Sequence, residues 1–279
     1  MKTAINREIN EFVNGYQSAG RVHTSWREPL VAYASADDPL FHTLKDVVSP
    51  SHAMPKDLLQ DAQTVIAYFL PFKKSLTKTN SHGTHASREW ALAYIETNRL
   101  IVDLNIHLAE VLDNWGFQTM KLPPTHNFDT KRLISDWSHK HVAYITGLGK
   151  FGLHHLLITE KGCCGRLGSL ITSAPLPPTT RTAGEACLYK FNKTCLKCLK
   201  RCPVGALNEE SFDRKGCYDL LLDNAKSFQG LGLADVCGKC SCLVPCSFHN
   251  PVQKLSLKTG LEIAGNRNKF DNKTRSRPR

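Results

Sequence analysis

Nine of the eleven cysteines lie within sixty residues of one another, between Cys187 and Cys246. Closely spaced cysteines followed by Cys-Pro are typical of thiolates that hold iron–sulfur clusters, and a four-iron cluster needs four of them. The chain offers two such patterns. They read Cys187-x7-Cys195-x2-Cys198-x3-Cys202-Pro203 with Cys217 downstream, and Cys237-x2-Cys240-x-Cys242-x3-Cys246. The spacing predicts two [4Fe–4S] clusters.

Zinc and disulfides are the alternatives to clusters. Zinc also uses Cys-x2-Cys pairs, and two four-cysteine zinc sites would use eight cysteines equally well. The Cys-Pro step and the small, apolar residues after it, Val204–Leu207, favour clusters. Disulfides are disfavoured because the polar start Met1–Glu8 lacks the apolar stretch of a signal peptide. We therefore expect a cytoplasmic protein whose thiols stay reduced.

The composition is that of a soluble globular protein with a basic end. Of 279 residues, 41% are hydrophobic and 22% charged, and no apolar run approaches the ~20 residues of a membrane span. The net charge is +11, of which the tail 266–279 contributes +5. A polar, basic tail is predicted to be disordered. It could contact RNA, or it could simply be solvated.

The elements that must position the cysteines precede them in the chain. Residues 1–20 are predicted to form an amphipathic helix, whereas 26–55, with four prolines, is predicted to be irregular. Thr64–Leu70 has the continuous apolar character of a strand covered on both faces. A long helix is expected from Ser87 to about Gly116, with its apolar stripe facing the core.

Further elements complete a core that we expect to be α/β or α+β over residues 1–175. Phe117–Leu122 is predicted to be a strand, Thr130–Thr146 a helix, and Leu153–Thr159 and Leu167–Thr172 two more strands. Pro175, Pro177 and Pro178 indicate a linker. The cysteine module, residues 180–251, follows it.

Three segments next to the predicted clusters carry a resemblance to a known family. They are SHKHVAYITGLGKFG at Ser138–Gly152, LLIT at Leu156–Thr159 and GSLIT at Gly168–Thr172. With the two-cluster module, residues 60–251 resemble the epoxyqueuosine reductase family. The resemblance implies a nitroreductase-like domain that binds cobalamin and a ferredoxin-like module that feeds it electrons. It also implies a donor of flavodoxin or ferredoxin type and, as substrate, a tRNA base or a small molecule.

The resemblance also implies which cysteines bind which cluster. The first set is Cys187, Cys195, Cys198 and Cys246; the second is Cys202, Cys217, Cys237 and Cys240. Cys242 is left as a spare. The family's first cysteine would fall on Asn192, so Cys187 can substitute only if five extra residues loop out. Cys163 and Cys164 are expected to be non-ligands, the alternative being a reactive thiol pair near the cofactor.

The proton donor implied by the resemblance is an acidic residue shortly before the Gly-Leu-Gly segment. Without gaps that position falls on Leu133, which cannot donate a proton, and Asp129 and Asp136 flank it. We favour Asp129, near a predicted helix start, although it could be only an N-cap. Asp136, expected in mid-helix, could instead face solvent or pair with Lys140.

Two further sets of residues are candidates for cofactor binding. His139, Lys140 and His141 could line a pocket for the anionic parts of a nucleotide or a corrin tail, or form a solvated basic helix face. Gly147, Gly149 and Gly152 could let the backbone approach a flat cofactor, or serve as ordinary turn residues.

Three functions are compatible with these features. The favoured one is an iron–sulfur oxidoreductase that passes electrons to a cobalamin-bound site and reduces an organic substrate. The alternative is a ferredoxin-type electron-transfer protein without cobalamin chemistry of its own. This gains support from the missing ungapped acid and from the lack of the helical-repeat extension of longer tRNA-acting relatives. A third is an RNA-binding protein with clusters that serve stability alone.

Overall fold

A computed structural model describes residues 1–259, so the predicted basic tail 266–279 lies outside the described residues. The helices are α1 (Lys2–Ser18), α2 (Leu40–Val47), α3 (Pro55–Leu58), α4 (Lys74–Thr79), α5 (Arg88–Asn114), α6 (His139–Ile145), α7 (Leu188–Asn192), α8 (Lys197–Arg201), α9 (Arg214–Ser227) and α10 (Pro251–Thr259). The strands are β1 (Leu30–Ser35), β2 (Thr64–Pro71), β3 (Thr119–Lys121), β4 (His126–Asp129), β5 (Ile134–Trp137), β6 (Gly149–Phe151), β7 (Leu157–Thr159) and β8 (Gly165–Thr172). Two 3₁₀ turns, Gln229–Leu231 and Lys239–Ser241, lie in the cysteine module.

A four-stranded sheet of order β1-β2-β8-β3 forms the centre of the fold. Every neighbouring pair in it is antiparallel, with Ala67 of β2 opposite Ala32 of β1 and Ser169 of β8. The fold is therefore α+β, one of the two expected classes. All eight residues of β2 are buried, as predicted for a strand covered on both faces.

The alternation of β2 side chains divides the core into two layers. Ile66, Tyr68 and Leu70 pack in one layer with α1 and α5. Val65 and Ala67 pack in the other layer with α2 and α6. Successive strand residues point to opposite faces, so one short segment of sequence contributes to both layers.

The long helix α5 was predicted correctly from its apolar stripe. The Ser87 hydroxyl caps its start by accepting a hydrogen bond from the Trp90 amide at 3.1 Å. Just past the other end, Gly116 has φ of +83°, a conformation that glycine adopts without steric cost. The 27 residues between these signals form one continuous helix against the sheet.

The prediction that residues 26–55 are irregular was wrong. They contain β1 and α2, because the prolines flank these elements rather than interrupt them. Pro29 directly precedes β1, and Pro39 is the N-cap of α2. Proline at either position removes no hydrogen bond that the element needs.

The predicted helix Thr130–Thr146 was wrong in its first half. Residues 126–137 form a hairpin in which β4 pairs with β5, and only His139–Ile145 are helical. Leu133, just before β5, has φ of +55° and breaks any continuous helix. Asp129 therefore lies at a hairpin turn rather than a helix start, and Asp136 lies in a strand rather than in mid-helix.

The cysteine module packs closely against the preceding part of the chain. The side-chain amide of Asn80 donates to the Cys237 carbonyl at 2.8 Å, and the Tyr94 hydroxyl donates to the Asp235 carboxylate at 2.7 Å. The predicted proline linker is also held in place, since the Thr179 amide donates to the Tyr33 carbonyl at 2.8 Å. None of the helices in residues 1–259 has the length and apolar character needed to cross a membrane.

Candidate metal centres and active-site cleft

The first cysteine group consists of Cys187, Cys195, Cys198 and Cys246, which line one small cavity together with His154. Three of the four thiols are nearly inaccessible to solvent, and Cys195 is the most exposed. Burial, followed by the negative charges of the other three cysteines in the group, raises the pKa of Cys198 to about 12. Four mutually repelling thiolates in one buried cavity need a cation to compensate them.

The second cysteine group consists of Cys202, Cys217, Cys237 and Cys240, which line a different cavity, of about 490 Å³. Burial, followed by the negative charges of Cys237 and Cys202, raises the pKa of Cys217 to about 11. The pKa of Cys240 is raised for the same reasons. The eight thiols thus fall into two sets of four, each of which fits the donor set of an iron–sulfur cluster or of zinc.

Cys187 reaches the first group because the extra residues between it and Cys195 fold compactly. Five of them form α7, with Cys187 at its N-cap, and Lys193 follows with φ of +62°. This left-handed residue reverses the chain toward Cys195. The five extra residues between Cys187 and Cys195 therefore form a short helix instead of an irregular loop.

The three remaining cysteines lie beside the first group. Cys242 is fully buried, and its sulfur accepts from the Asn80 amide at 3.5 Å. Cys164 donates its thiol hydrogen to the Ser241 carbonyl at 2.9 Å. Cys163 lies closest to a candidate ligand, with its sulfur 4.0 Å from that of Cys246. Hydrogen bonding from Cys163, and more weakly from His154, lowers the pKa of Cys246 to about 5, although burial opposes this.

Three adjoining cavities of about 760, 490 and 310 Å³ form a cleft, which residues of the cysteine module and of the preceding part of the chain line together. The second cysteine group lines the middle cavity, opposite aromatic residues that include Phe72, Trp90 and Phe212. Pockets for single small molecules usually measure roughly 300–1,000 Å³. The combined space is larger than a single small molecule needs.

Lys140 lines all three cavities, which no other residue does among those described. Its side chain is accessible within the cleft, although protein atoms surround it on most sides. Burial lowers the pKa of Lys140, the positive charge of Arg214 lowers it further, and Cys217 acts in the opposite direction. Its ammonium group forms no salt bridge with any residue of the described range.

The two histidines beside Lys140 do not carry the positive charge that their position suggested. Burial lowers the pKa of His139 and of His141 to about 4, so both are neutral at pH 7. His139 lies in the core, bonded to the Ser169 hydroxyl and the Pro123 carbonyl at 2.8 Å each. His141 lines the largest cavity. Within this segment Lys140 alone offers a charge to the cleft.

The three candidate glycines have local structural roles. Gly147, with φ of +87°, ends α6, and Gly149 lets β6 lie against the Ile158 backbone. Gly152 does line the largest cavity. A Cβ atom on it would lie 2.6 Å from the His154 ring, so it is also needed to seat that imidazole.

Neither candidate carboxylate lines the cleft. The Asp129 carboxylate is exposed and accepts from the amides of Lys131 and Arg132 at 2.8 and 3.0 Å, which lowers its pKa. Asp136 accepts from the Ser51 hydroxyl at 2.6 Å and does not pair with Lys140. Phe128, however, adjoins Asp129 and lines the cleft.

His154 is a site residue that the sequence reasoning missed. It lines both the cavity of the first cysteine group and the 490 Å³ cavity of the second. With Cys163 and Cys246 it forms a cluster of three potential metal ligands whose donor atoms lie within 4.8 Å of one another. The consecutive histidines after Gly152 were the available signal.

Comparison with known proteins finds the same fold in reductases. No protein-family model and no curated protein matches the sequence. Among solved structures, the catabolic reductive dehalogenase NpRdhA aligns over 84% of this chain and 32% of its own, with 14% identity and a TM-score of 0.56.

Epoxyqueuosine reductase structures align over a larger share of their own length than the dehalogenase does. The one from Bacillus subtilis, with its catalytic loop swung out of the active site, shares 18% identity at a TM-score of 0.52. The complex of the enzyme with an epoxyqueuosine-modified tRNA-Tyr stem loop shares 19% at 0.50. Each aligns over 87% of this chain, which spans 66% of the reductase. The resemblance noted in the sequence is confirmed at the level of the fold.

Proposed function

We propose that this chain is an iron–sulfur oxidoreductase resembling epoxyqueuosine reductase. Residues 1–175 would form a nitroreductase-like substrate domain and 180–251 a ferredoxin-like module with two [4Fe–4S] clusters. One observation carries the proposal: the second cysteine group lines the same cleft as Lys140 and the aromatic residues. A cluster at that position would deliver electrons directly to whatever the cleft binds.

The metal is the first point to test, because four thiolates also suit zinc. The chain should be purified and reconstituted without oxygen, and its iron, sulfide, zinc and corrin measured together. Two four-iron clusters require about eight irons and eight sulfides per chain. Stoichiometric zinc without sulfide would refute the clusters and with them the redox function.

Cobalamin is the cofactor that we propose for the cleft. When bound, it would supply the chemistry that cleaves a carbon–oxygen or carbon–halogen bond. The chain would contribute an apolar surface from Trp90, Phe128 and Phe212, and cations from Lys140 and Arg166. Adding cob(II)alamin to the reconstituted protein should change the corrin spectrum. An unchanged spectrum, and no corrin in the purified protein, would favour the electron-transfer alternative.

Reductive cleavage also needs a proton for the leaving group, and we propose Lys140 as its source. Lys140 projects into the cleft, and the direction of its pKa shift brings it closer to neutral pH, which suits a general acid. Asp129 is the second candidate. It adjoins Phe128 in the cleft, so a movement of the 129–133 turn would bring its carboxylate inside.

The substrate class that we favour is a modified nucleotide within RNA. Lys140, Lys190 and Arg214 line the largest of the three cavities, which Glu209 and Glu210 also line, and provide cations for phosphate groups. The tRNA stem loop bound to one structural neighbour supports this choice. A small organic molecule is the alternative substrate. Competition by a tRNA anticodon stem loop, compared with a DNA hairpin of equal length, distinguishes the two.

Electrons would enter at the first cysteine group through a surface that we name the lysine face. It consists of Lys190, Lys193, Lys197 and Lys200, which are all exposed around Cys195. Residues 188–201 contain no acidic side chain. Such a surface complements an acidic donor of flavodoxin or ferredoxin type and would accelerate its association.

Charge reversal tests this entry point. Lys193→Glu with Lys197→Glu should slow reduction by a flavodoxin, most strongly at low salt, and leave reduction by dithionite unchanged. Arg21→Glu with Lys45→Glu, which alters two exposed bases elsewhere, is the matched control. Equal effects of the two double variants would refute docking at the lysine face.

A further inference from the structure

We propose that His154 donates a hydrogen bond to the sulfur of Cys246 and thereby raises the reduction potential of the metal centre in the first cysteine group. The inference rests on the proposed clusters and concerns one of them alone. It gives His154 a positioning and tuning role, since the imidazole acts through a ligand sulfur rather than on the substrate.

The protonation pattern of the His154 ring follows from its two neighbours. The Leu156 amide donates to Nδ1 at 3.1 Å, so Nδ1 must be an unprotonated acceptor. In the neutral ring the hydrogen then resides on Nε2. Nε2 lies 3.4 Å from the Cys246 sulfur, which is within hydrogen-bonding distance for sulfur. The N–H group therefore points at the ligand sulfur.

The surrounding backbone holds the imidazole in this position. His154 is only 4% exposed. It lies in a tight turn, in which the Gly152 amide donates to the Leu156 carbonyl at 2.9 Å and the His155 amide to the Gly152 carbonyl at 3.1 Å. Residue 152 must be glycine because a Cβ atom would collide with the His154 ring and with Ile158. The ring has little freedom to turn away from sulfur.

Hydrogen bonds from residues 163 and 164 hold the backbone of Cys246 and its neighbour Ser247 in place. The Cys163 amide donates to the Cys246 carbonyl at 2.9 Å, and the Cys164 amide donates to the Ser247 carbonyl at 3.2 Å. Gly162 permits this pairing, since a Cβ atom there would overlap the Ser247 backbone. Residues 162–164 and His154 thus fix the backbone and the sulfur of Cys246 together.

The expected direction follows from electrostatics. Reduction adds a negative charge that spreads onto the cluster sulfurs, and an N–H donor stabilises that charge more than it stabilises the oxidised state. Among the described residues, the donors to sulfurs of the second group are backbone amides, from Ala206 to Cys202 at 3.2 Å and from Lys239 to Cys237. Loss of the imidazole should therefore lower the potential of one centre and leave the other unchanged.

The experiment compares anaerobically reconstituted full-length variants by redox titration followed by electron paramagnetic resonance. His154→Leu removes the donor, whereas His154→Gln retains an N–H group. The leucine variant should show one of two midpoint potentials moved downward, and the glutamine variant a smaller shift in the same direction. His155→Asn, the control, removes an exposed imidazole that contacts Phe212 instead of sulfur and should leave both potentials unchanged.

The results separate this inference from the proposed clusters. A wild-type chain without iron and sulfide would defeat the proposed function itself. An iron-loaded His154→Leu protein with wild-type potentials would overturn the role of His154 alone, as would an equal shift in both centres or in His155→Asn. If the leucine variant loses iron, His154→Phe, which also lacks a donor, replaces it, and an unshifted or raised potential in that variant overturns the inference.

Discussion

Replacement of Cys246 and of Cys242 by alanine gives the sharpest test of the ligand assignment. Both are buried cysteines in one short segment, so the two substitutions remove similar atoms from similar surroundings. Cys246 lines the cavity of the first cysteine group, whereas Cys242 contacts Asn80 and Cys164 outside it. Only the first substitution should therefore affect a metal centre.

The expected difference is large compared with measurement error. Cys242→Ala should retain about eight irons per chain and cost roughly 1–2 kcal/mol in the free energy of unfolding. Cys246→Ala should lose up to four irons, because a four-iron cluster with three thiolates is incompletely held. Iron and sulfide analysis after anaerobic reconstitution measures the loss, and electron paramagnetic resonance shows which centre remains.

Two results would refute this reasoning. If Cys242→Ala lost iron and Cys246→Ala did not, the assignment of ligand and spare would be reversed. If both variants kept eight irons, Cys163 would be the first suspect, since its sulfur lies 4.0 Å from that of Cys246. The double variant Cys163→Ala with Cys246→Ala then decides whether Cys163 substitutes as a ligand.

Three further predictions concern the proton donor, the electron donor and stability. Lys140→Met should lower turnover by about 10²-fold or more if Lys140 is the general acid and leave cluster content unchanged, whereas a loss confined to Asp129→Asn would assign the role to Asp129. Reduction by an acidic donor should slow with rising salt, and charge reversal of the lysine face should abolish that dependence. Salt-independent reduction of the wild-type protein would contradict docking at the lysine face. The free energy of unfolding should fall as pH drops from 6.5 to 4, because the pKa of His139 is about 4 in the folded state against 6.5 when unfolded, so the unfolded chain binds the proton first. His139 would contribute about 3 kcal/mol to this fall, and chemical denaturation of His139→Gln should show a correspondingly flatter pH dependence; an unaltered slope would contradict the burial argument.

The elements predicted correctly are those whose signals are local. The apolar run of β2, the helical stripe of α5 and its Ser87 cap each depend on neighbouring residues alone. The segment 130–137 was mispredicted because pairing with β4, an interaction between separate strands, overrides its local helical pattern. That error misplaced Asp129 and Asp136 and hid the fact that neither reaches the cleft.

The sequence by itself determined the number and spacing of the cysteines, and its resemblance to the epoxyqueuosine reductase family implied the two sets of four candidate ligands. Thiolate chemistry and short spacing are local properties, so they can be read without a fold. Only the tertiary structure decided what surrounds each set. It placed the second cysteine group along the cleft with Lys140, and it brought His154 to 3.4 Å from Cys246, which is 92 residues away in the chain. Such contacts depend on how distant segments of the chain pack, and no single stretch of sequence encodes them.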